Sequence, residues 1–332
     1  MAVAKNGVHP RRSFIIFGTP VSWFLYEILS IGVFLAAMVH AGRRERGGFH
    51  ALTLLVFVAF AGIFENIGVM AGVYQYDVNR VMMIGKVPLS ILFVEAAVVY
   101  SALWLTQHLR MPWWAAPFVV GLFSMVQDMT IDPSNVFDLH VLDGVTTGQW
   151  NWDWHYEGGF FGIPFYNFSG WFTMTLYYSF FINLIDWLLT RKGRRAAIAD
   201  WTPLLALLPS LIVLVSPVNQ FLLYLQPIVA PGNRTAELVL MCVNTAVGIA
   251  LLVIYMKPNN ALDVRRNLIV LLIPVVLHVW DIALAYTVGI ERGRVPSVLV
   301  GAIHIAFLAW IVSKGRAAAR SAVGHDARVS PS

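Results

Sequence analysis

Charge is scarce in this chain: only 12% of its 332 residues are Asp, Glu, Lys or Arg, about half the share in an ordinary soluble domain. Together with 58% apolar residues and a mean hydropathy of +0.69, this excludes a soluble globular protein. Cysteine is scarcer still. The single Cys242 allows neither an intrachain disulfide nor a cysteine metal cluster, and inside an apolar run it reads as a packing residue. No Ser/Pro-rich linker or soluble insertion interrupts the chain. A cleavable leader is not expected either. The first apolar run continues from about Thr19 to about Val39, too long for a signal-peptide core, and no small-residue cleavage site follows it. The net charge of +5 does not point to nucleic acid, because the basic residues fall in short runs between apolar stretches, where membrane proteins carry their topological signal.

What is present is a series of apolar runs near residues 20 to 41, 51 to 73, 87 to 107, 113 to 131, 160 to 190, 203 to 227, 236 to 256, 267 to 289 and 296 to 313. Each is long enough to cross a hydrocarbon layer as a helix, for which about 20 residues suffice. The fold class predicted is therefore all-α: a polytopic transmembrane bundle of about nine spans, with eight as the alternative, in one domain covering residues 1–332. Residues 132–159 are expected to form a polar and aromatic loop outside the membrane, and 315–332 a disordered cytoplasmic tail. With nine spans, Arg43, Arg44, Arg46, Arg110, Arg191, Lys192, Arg194, Arg195, Lys257, Arg265, Arg266 and the tail share one side. The positive-inside rule makes that side cytoplasmic and leaves the amino terminus outside, in a bacterial plasma membrane. Lys5, Arg11 and Arg12 run against this orientation, which is why an even number of spans stays open.

Carboxylates and imidazoles inside spans carry the functional information, since a charge near the bilayer centre costs about 2.5–3.5 kcal/mol even on the lenient insertion scale. Glu27, Glu65, Glu95, Asp128, His278 and Asp281 all fall in the outer halves of their helices, with His304 near the middle. Glu27 and Glu237 lie near span ends, where a carboxylate reaches the interface by itself. Glu95 has Lys86 or Arg80 as prospective partners. His278 and Asp281, three residues apart on one helix face, suit a mutual hydrogen bond or, less readily, a metal. Asp186 is expected to pair with the basic run from Arg191 to Arg195. The simplest account is one polar cavity in the outer leaflet, roofed by the long loop.

Two patterns stand out. The first, Glu65-x2-Gly68-x3-Gly72-x-Tyr74-x-Tyr76, is followed by Gly85-Lys86-Val87-Pro88; Gly68 and Gly72 offer a face on which another helix could approach closely. The second joins Asp128-x3-Asp132-Pro133 to Gly148-x-Trp150-x-Trp152-x-Trp154 and then to Phe161-Gly162-x-Pro164-x2-Asn167-x2-Gly170-Trp171. Asp128 and Asp132 are one helical turn apart and can face one cavity. The alternating tryptophans fit an extended segment with all three on one side. Indole faces beside carboxylates suit a cationic intermediate, each ring contributing about 0.5–2 kcal/mol to a desolvated cation; an interfacial tryptophan belt is the alternative reading.

Taken together, these residues resemble the integral-membrane carotenoid biosynthesis family that includes carotenoid 1,2-hydratases of the CruF type and bisanhydrobacterioruberin hydratase. The resemblance covers roughly residues 20 to 190. It implies addition of water across a terminal isoprenoid double bond, with a lipophilic isoprenoid entering from the bilayer, membrane lipid around the protein, other terpenoid-pathway enzymes as candidate partners, and no cofactor or metal. That chemistry needs an acid able to protonate an alkene, walls that tolerate a tertiary cation, and a positioned water. A carboxyl in a low-dielectric pocket can keep its proton near neutral pH. Glu65 or Asp128 is the expected acid, with Asp132 and Asp128 sharing the role of the ionised partner that takes a proton from water. Tyr74, Tyr76, Trp150, Trp152 and Trp171 would line the substrate, and Asn167 would hold the water. Excluding water would turn the same cation chemistry into cyclisation. Prenyl transfer fits poorly, because no DDxxD motif is present to bind a magnesium diphosphate. The rival from another class is a proton-coupled transporter, against which stand the crowding of acids on one side and the lack of a visible repeat.

Overall fold

The computed structural model describes residues 14–152, 159–191, 197–219, 233–257 and 261–329. Among these the chain is an all-α bundle of nine helices: α1 (Val21–Gly42), α2 (Gly47–Met70), α3 (Leu89–His108), α4 (Ala116–Val136), α5 (Phe165–Thr190), α6 (Thr202–Leu214), α7 (Arg234–Tyr255), α8 (Val264–Thr287) and α9 (Glu291–Val329). Eight of the nine apolar runs singled out in the sequence each fall on one of them; of the run from 203 to 227, α6 covers only the part up to Leu214, and residues 220–227 lie outside the described residues. Seven are long and apolar enough to cross a membrane. The other two fall short for different reasons: α4 carries Gln127, Asp128, Asp132 and Asn135 within its 21 residues, and α6 has only 13. Several helices start where proline ends an extended segment. Pro20, Pro88 and Pro164 precede α1, α3 and α5 with φ near −60° and extended ψ, a geometry the pyrrolidine ring favours.

Two boundaries differ from expectation. Helix α4 runs through Pro133 to Val136, so Asp132 is helical and the loop begins after it. Proline gives up its own donor there and crowds the carbonyl four residues earlier, one turn before the helix ends. Helix α9 continues to Val329, into the stretch expected to be a disordered tail from residue 315.

Helix α4 is the hub. It packs against α3, α5, α7, α8 and α9, which is how a helix carrying Gln127, Asp128, Asp132 and Asn135 comes to be buried inside the bundle. One contiguous apolar core runs through α1 to α5 and on to α8 and α9. The connections at one end are short hairpins. In the pair His140–Leu142 and Val145–Thr147 the turn is Asp143-Gly144, both at positive φ (49° and 81°), as a two-residue hairpin of this twist requires. A second antiparallel pair joins distant parts of the chain: Tyr74–Tyr76 lies beside Trp150–Trp152, with Tyr74 opposite Trp152 and Tyr76 opposite Trp150.

The opposite end is held by arginines. Arg46, between α1 and α2, reaches Asp186 of α5 at 2.8 Å and Asp200 at 3.2 Å. Asp186 therefore pairs with Arg46 across the bundle; residues 192–196 of the basic run expected as its partner lie outside the described residues.

Candidate active site

Between the Tyr74–Tyr76 and Trp150–Trp152 pair and helices α1 to α5 lies a cavity of about 370 Å³. Glu65, Asp128, Asp132, Tyr74, Tyr76, Trp150, Trp152, Asn167 and Trp171 all line it, so residues from four separate stretches of sequence meet in one chamber. Trp154, the third tryptophan of the alternating row, lies outside the described residues.

The strand pair builds one wall. Aromatic side chains that face each other across antiparallel strands pack as cross-strand pairs: Tyr74 and Trp152 meet edge to face with centroids 5.1 Å apart, and Tyr76 and Trp150 lie 5.9 Å apart. Tyr166 closes the row against Trp152 at 5.7 Å.

Behind this wall the phenols turn to Glu65. Its Oε2 accepts hydrogen bonds from Tyr76 Oη at 2.6 Å and Tyr74 Oη at 2.8 Å. Burial first, and then the neighbouring Glu65 carboxylate, hold both phenols well above the usual tyrosine pKa, which keeps them as neutral donors. Gly68 makes this possible. A Cβ on it would stand 2.5 Å from Tyr74 Oη, so the small residue admits a ring, where the sequence suggested the approach of another helix.

Helix α4 supplies the second carboxyl group pair. Asn167 of α5 donates through Nδ2 to Asp128 Oδ2 at 2.7 Å and to Asp132 Oδ2 at 2.8 Å. Asp132 Oδ1 accepts in addition from Trp150 Nε1 at 3.0 Å. Asp128 Oδ1 is buried and has no hydrogen-bond partner among the described residues. The two aspartates thus differ: every oxygen of Asp132 receives an N–H, whereas one oxygen of Asp128 has no partner among the described residues.

Glu95 of α3 is the residue that sequence reasoning placed elsewhere. Arg80, its expected partner, instead binds Glu27 at 2.7 Å and also donates to Gln149 at 2.8 Å and Ser90 at 3.3 Å. Glu95 lines the cavity beside Glu65, and its buried Oε2 has no partner among the described residues. The signal available was its position, about a turn and a half inside an apolar span on the same side as Glu65. Tyr26 and Asn219 also line the cavity without having stood out. The pairing expected between His278 and Asp281 is indirect: both bond Thr130 Oγ1, at 2.9 Å each, and no metal-holding group of His, Cys, Asp and Glu occurs among the described residues.

Four carboxyl groups therefore face one apolar, aromatic chamber, and the described lining includes no Lys, Arg or His. Glu65 and Asp128 are 6% and 1% exposed, so neither faces bulk solvent. Ile67, Ala71 and Val215 line the cavity and are exposed on the outside of the bundle, Ile67 at 39% and Val215 at 58%. These apolar side chains of α2 and of the end of α6 thus lie both on the cavity and on the outside of the bundle. A family model described as carotenoid biosynthesis protein matches residues 21–232, well over half of the chain and every residue named in the cavity. Comparison with curated proteins and with solved structures returned no match.

Proposed function

Because the chain belongs to the carotenoid biosynthesis protein family, an assignment that makes it a carotenoid-modifying membrane protein, we propose that it hydrates the terminal isoprenoid double bond of an acyclic carotenoid by acid catalysis. The observation that carries this is the inequality of the two aspartates bridged by Asn167. Asp132 accepts two N–H donors and suits the ionised form, whereas Asp128, which lines the same chamber, keeps one buried oxygen without a described partner, and no cation is described in the lining.

The steps follow from those positions. The end of the polyene enters between α2 and α6; about 370 Å³ accommodates an end group, and the rest of the chain stays in lipid. The Asp128 carboxyl gives its proton to the alkene carbon that bears a hydrogen. The π bond breaks, a C–H bond forms, and the positive charge rests on the carbon bearing two methyl groups. Trp150, Trp152 and Tyr74 present aromatic faces and edges to that charge, and the Glu65 and Asp132 carboxylates offset it electrostatically. Water held between Asn167 and Asp132 attacks the cation, and the surplus proton of the new C–O group passes to Asp132. The product is a tertiary alcohol, with no net proton consumed.

For the orientation we propose the one that the basic residues suggest, with the cavity on the outer side. Arg43 and Arg266 meet at the end of the bundle away from the cavity, where the Arg266 guanidinium donates to the Arg43 carbonyl at 3.4 Å. The amino terminus would then be outside and the carboxyl terminus cytoplasmic.

The test is the lipid extract of cells that hold an acyclic carotenoid and express the protein, compared with Asp128→Asn and Glu65→Gln. A hydroxylated carotenoid made by the parent and lost in Asp128→Asn is the result expected. A ring-closed product would assign cyclisation to the same acid, and unchanged lipids with altered proton or solute uptake would replace the enzyme by a transporter.

A further inference from the structure

Glu65, Glu95, Asp128 and Asp132 are all buried and share one chamber whose described lining holds no cation. They cannot all be ionised, because each further charge is desolvated and also repelled by those already there. On α4 the donors divide the two aspartates, leaving Asp132 the charge and Asp128 a proton. The same question arises between α2 and α3, where Glu65 serves the reaction as an anion and Glu95 has no part in it.

The donors around this second pair are just as unequal. Tyr76 Oη and Tyr74 Oη both give their protons to Glu65 Oε2, at 2.6 and 2.8 Å. No N–H or hydroxyl among the described residues reaches Glu95 Oε2, although that oxygen is buried and the side chain is only 1% exposed. The cations nearest along the chain are engaged elsewhere or turned outward: Arg80 holds Glu27, Gln149 and Ser90, and Lys86 is exposed. What Glu95 does have is a side-chain hydrogen bond with Glu65. Two carboxyl groups can make such a bond only if one of them brings a proton, since an ionised carboxylate accepts and never donates. Glu65 is the member at which two phenols are already aimed, and donors of that kind favour an anion. The proton of the pair belongs to the other member.

We infer that Glu95 is a neutral carboxylic acid whose O–H donates to Glu65, and that it acts as a positioning residue which keeps the Glu65 carboxylate ionised and fixed beside the cation formed in the chamber. Glu65 then accepts from three groups, Tyr74, Tyr76 and Glu95, contributed by the strand pair and by α3. The chamber as a whole holds two acids, Asp128 and Glu95, and two anions, Asp132 and Glu65. The acids are not equivalent. Asp128 has an oxygen without a described partner, so a proton there is free to go to the alkene, whereas the proton of Glu95 is engaged by Glu65. It stays in place through turnover, so this pair transfers no proton and none has to be returned to it.

The inference rests on the role that the hydratase reading gives Glu65, so the first measurement is independent of catalysis. Protein labelled with carbon-13 at the glutamate carboxyl carbon is studied by NMR at neutral pH, and the Glu95 and Glu65 signals are assigned by their absence in Glu95→Gln and Glu65→Gln. A protonated carboxyl carbon resonates apart from an ionised one. Glu95 protonated and Glu65 ionised is the result expected, and any other assignment of the two overturns the inference whatever the enzyme makes. The second measurement is turnover of an acyclic carotenoid hydrocarbon by detergent-solubilised protein. Glu95→Leu occupies the space without a donor and should lower kcat about tenfold or more, with KM within about twofold, as for loss of one hydrogen bond to a charged group. Glu95→Gln supplies an N–H in place of the O–H and should recover most of that loss. A leucine variant at the parent rate overturns the inference. So does a glutamine variant as slow as leucine, which would mean that Glu95 gives its proton away during turnover. A parent protein that yields no hydroxylated carotenoid refutes the hydratase reading instead, and the NMR assignment still decides where the proton of the pair lies.

Discussion

Replacing Asn167 with alanine removes the one group among the described residues that hydrogen-bonds both aspartates, and the size of the effect can be worked out beforehand. Two N–H donors are lost, at 2.7 Å from Asp128 and 2.8 Å from Asp132. A hydrogen bond to a charged group contributes about 1.5–3 kcal/mol. Water admitted to the space left by the amide recovers part of that, so the net loss in the transition state is about 2–4 kcal/mol, or roughly 30- to 900-fold in rate. The loss falls on kcat, because the apolar polyene is bound by the aromatic walls and not by the amide. Folding should be little affected: Asn167 is only half-buried, and the strand pair and α4–α5 packing do not depend on it. The assay is the rate of hydroxylated carotenoid formation in membranes, quantified by chromatography with mass detection and normalised to folded protein by fluorescence-detected gel filtration. Cys242→Ser, at an exposed position on α7, is the control. An Asn167→Ala rate within about threefold of the parent's would refute the idea that the amide organises the acid and its base.

Three further outcomes follow from the same geometry. Trp150→Phe keeps a ring but loses the donor to Asp132, and should slow turnover about tenfold, whereas Trp152→Phe, whose Nε1 has no described partner, should stay near the parent rate. Gly68→Ala places a methyl group 2.5 Å from Tyr74 Oη and so pushes the phenol off Glu65; activity should fall with little change in melting temperature, measured on one preparation by product assay and thermal unfolding. Arg80→Ala leaves Glu27 buried without its ion-pair partner and should cost about 3–5 kcal/mol of stability, read as a lower melting temperature, with the double variant Arg80→Met, Glu27→Gln recovering much of it.

The bundle was legible in the sequence because the membrane imposes a simple rule: a segment without water must satisfy its backbone internally, and a run of about 20 apolar residues does so as a helix. Eight of the nine predicted spans fall on a helix for that reason, and α6 covers the first half of the ninth. The limits of α4 were misjudged because polar residues and Pro133 look like a helix end when the only criterion is hydropathy, and α4 is polar because it is surrounded by other helices. The acids were legible as well. A carboxyl group inside an apolar run is costly enough to mark itself, and Glu65, Asp128 and Asp132 did so.

Partners were another matter. Glu95 had two cations within plausible reach along the chain, Lys86 and Arg80, and the fold gave Arg80 to Glu27; Glu95, with no ion pair among the described residues, lines the cavity beside Glu65. His278 and Asp281 meet through Thr130 of a helix about 150 residues earlier, which no local spacing reveals. The register that sets Tyr74 against Trp152 links segments 78 positions apart. Composition and periodicity determined that this chain lies in a membrane as helices, and which of its side chains are too polar to be there without cause. Which of those side chains face one another was decided by tertiary packing alone, because a helix fixes the direction of a side chain relative to its own axis and says nothing of the helix that will stand opposite.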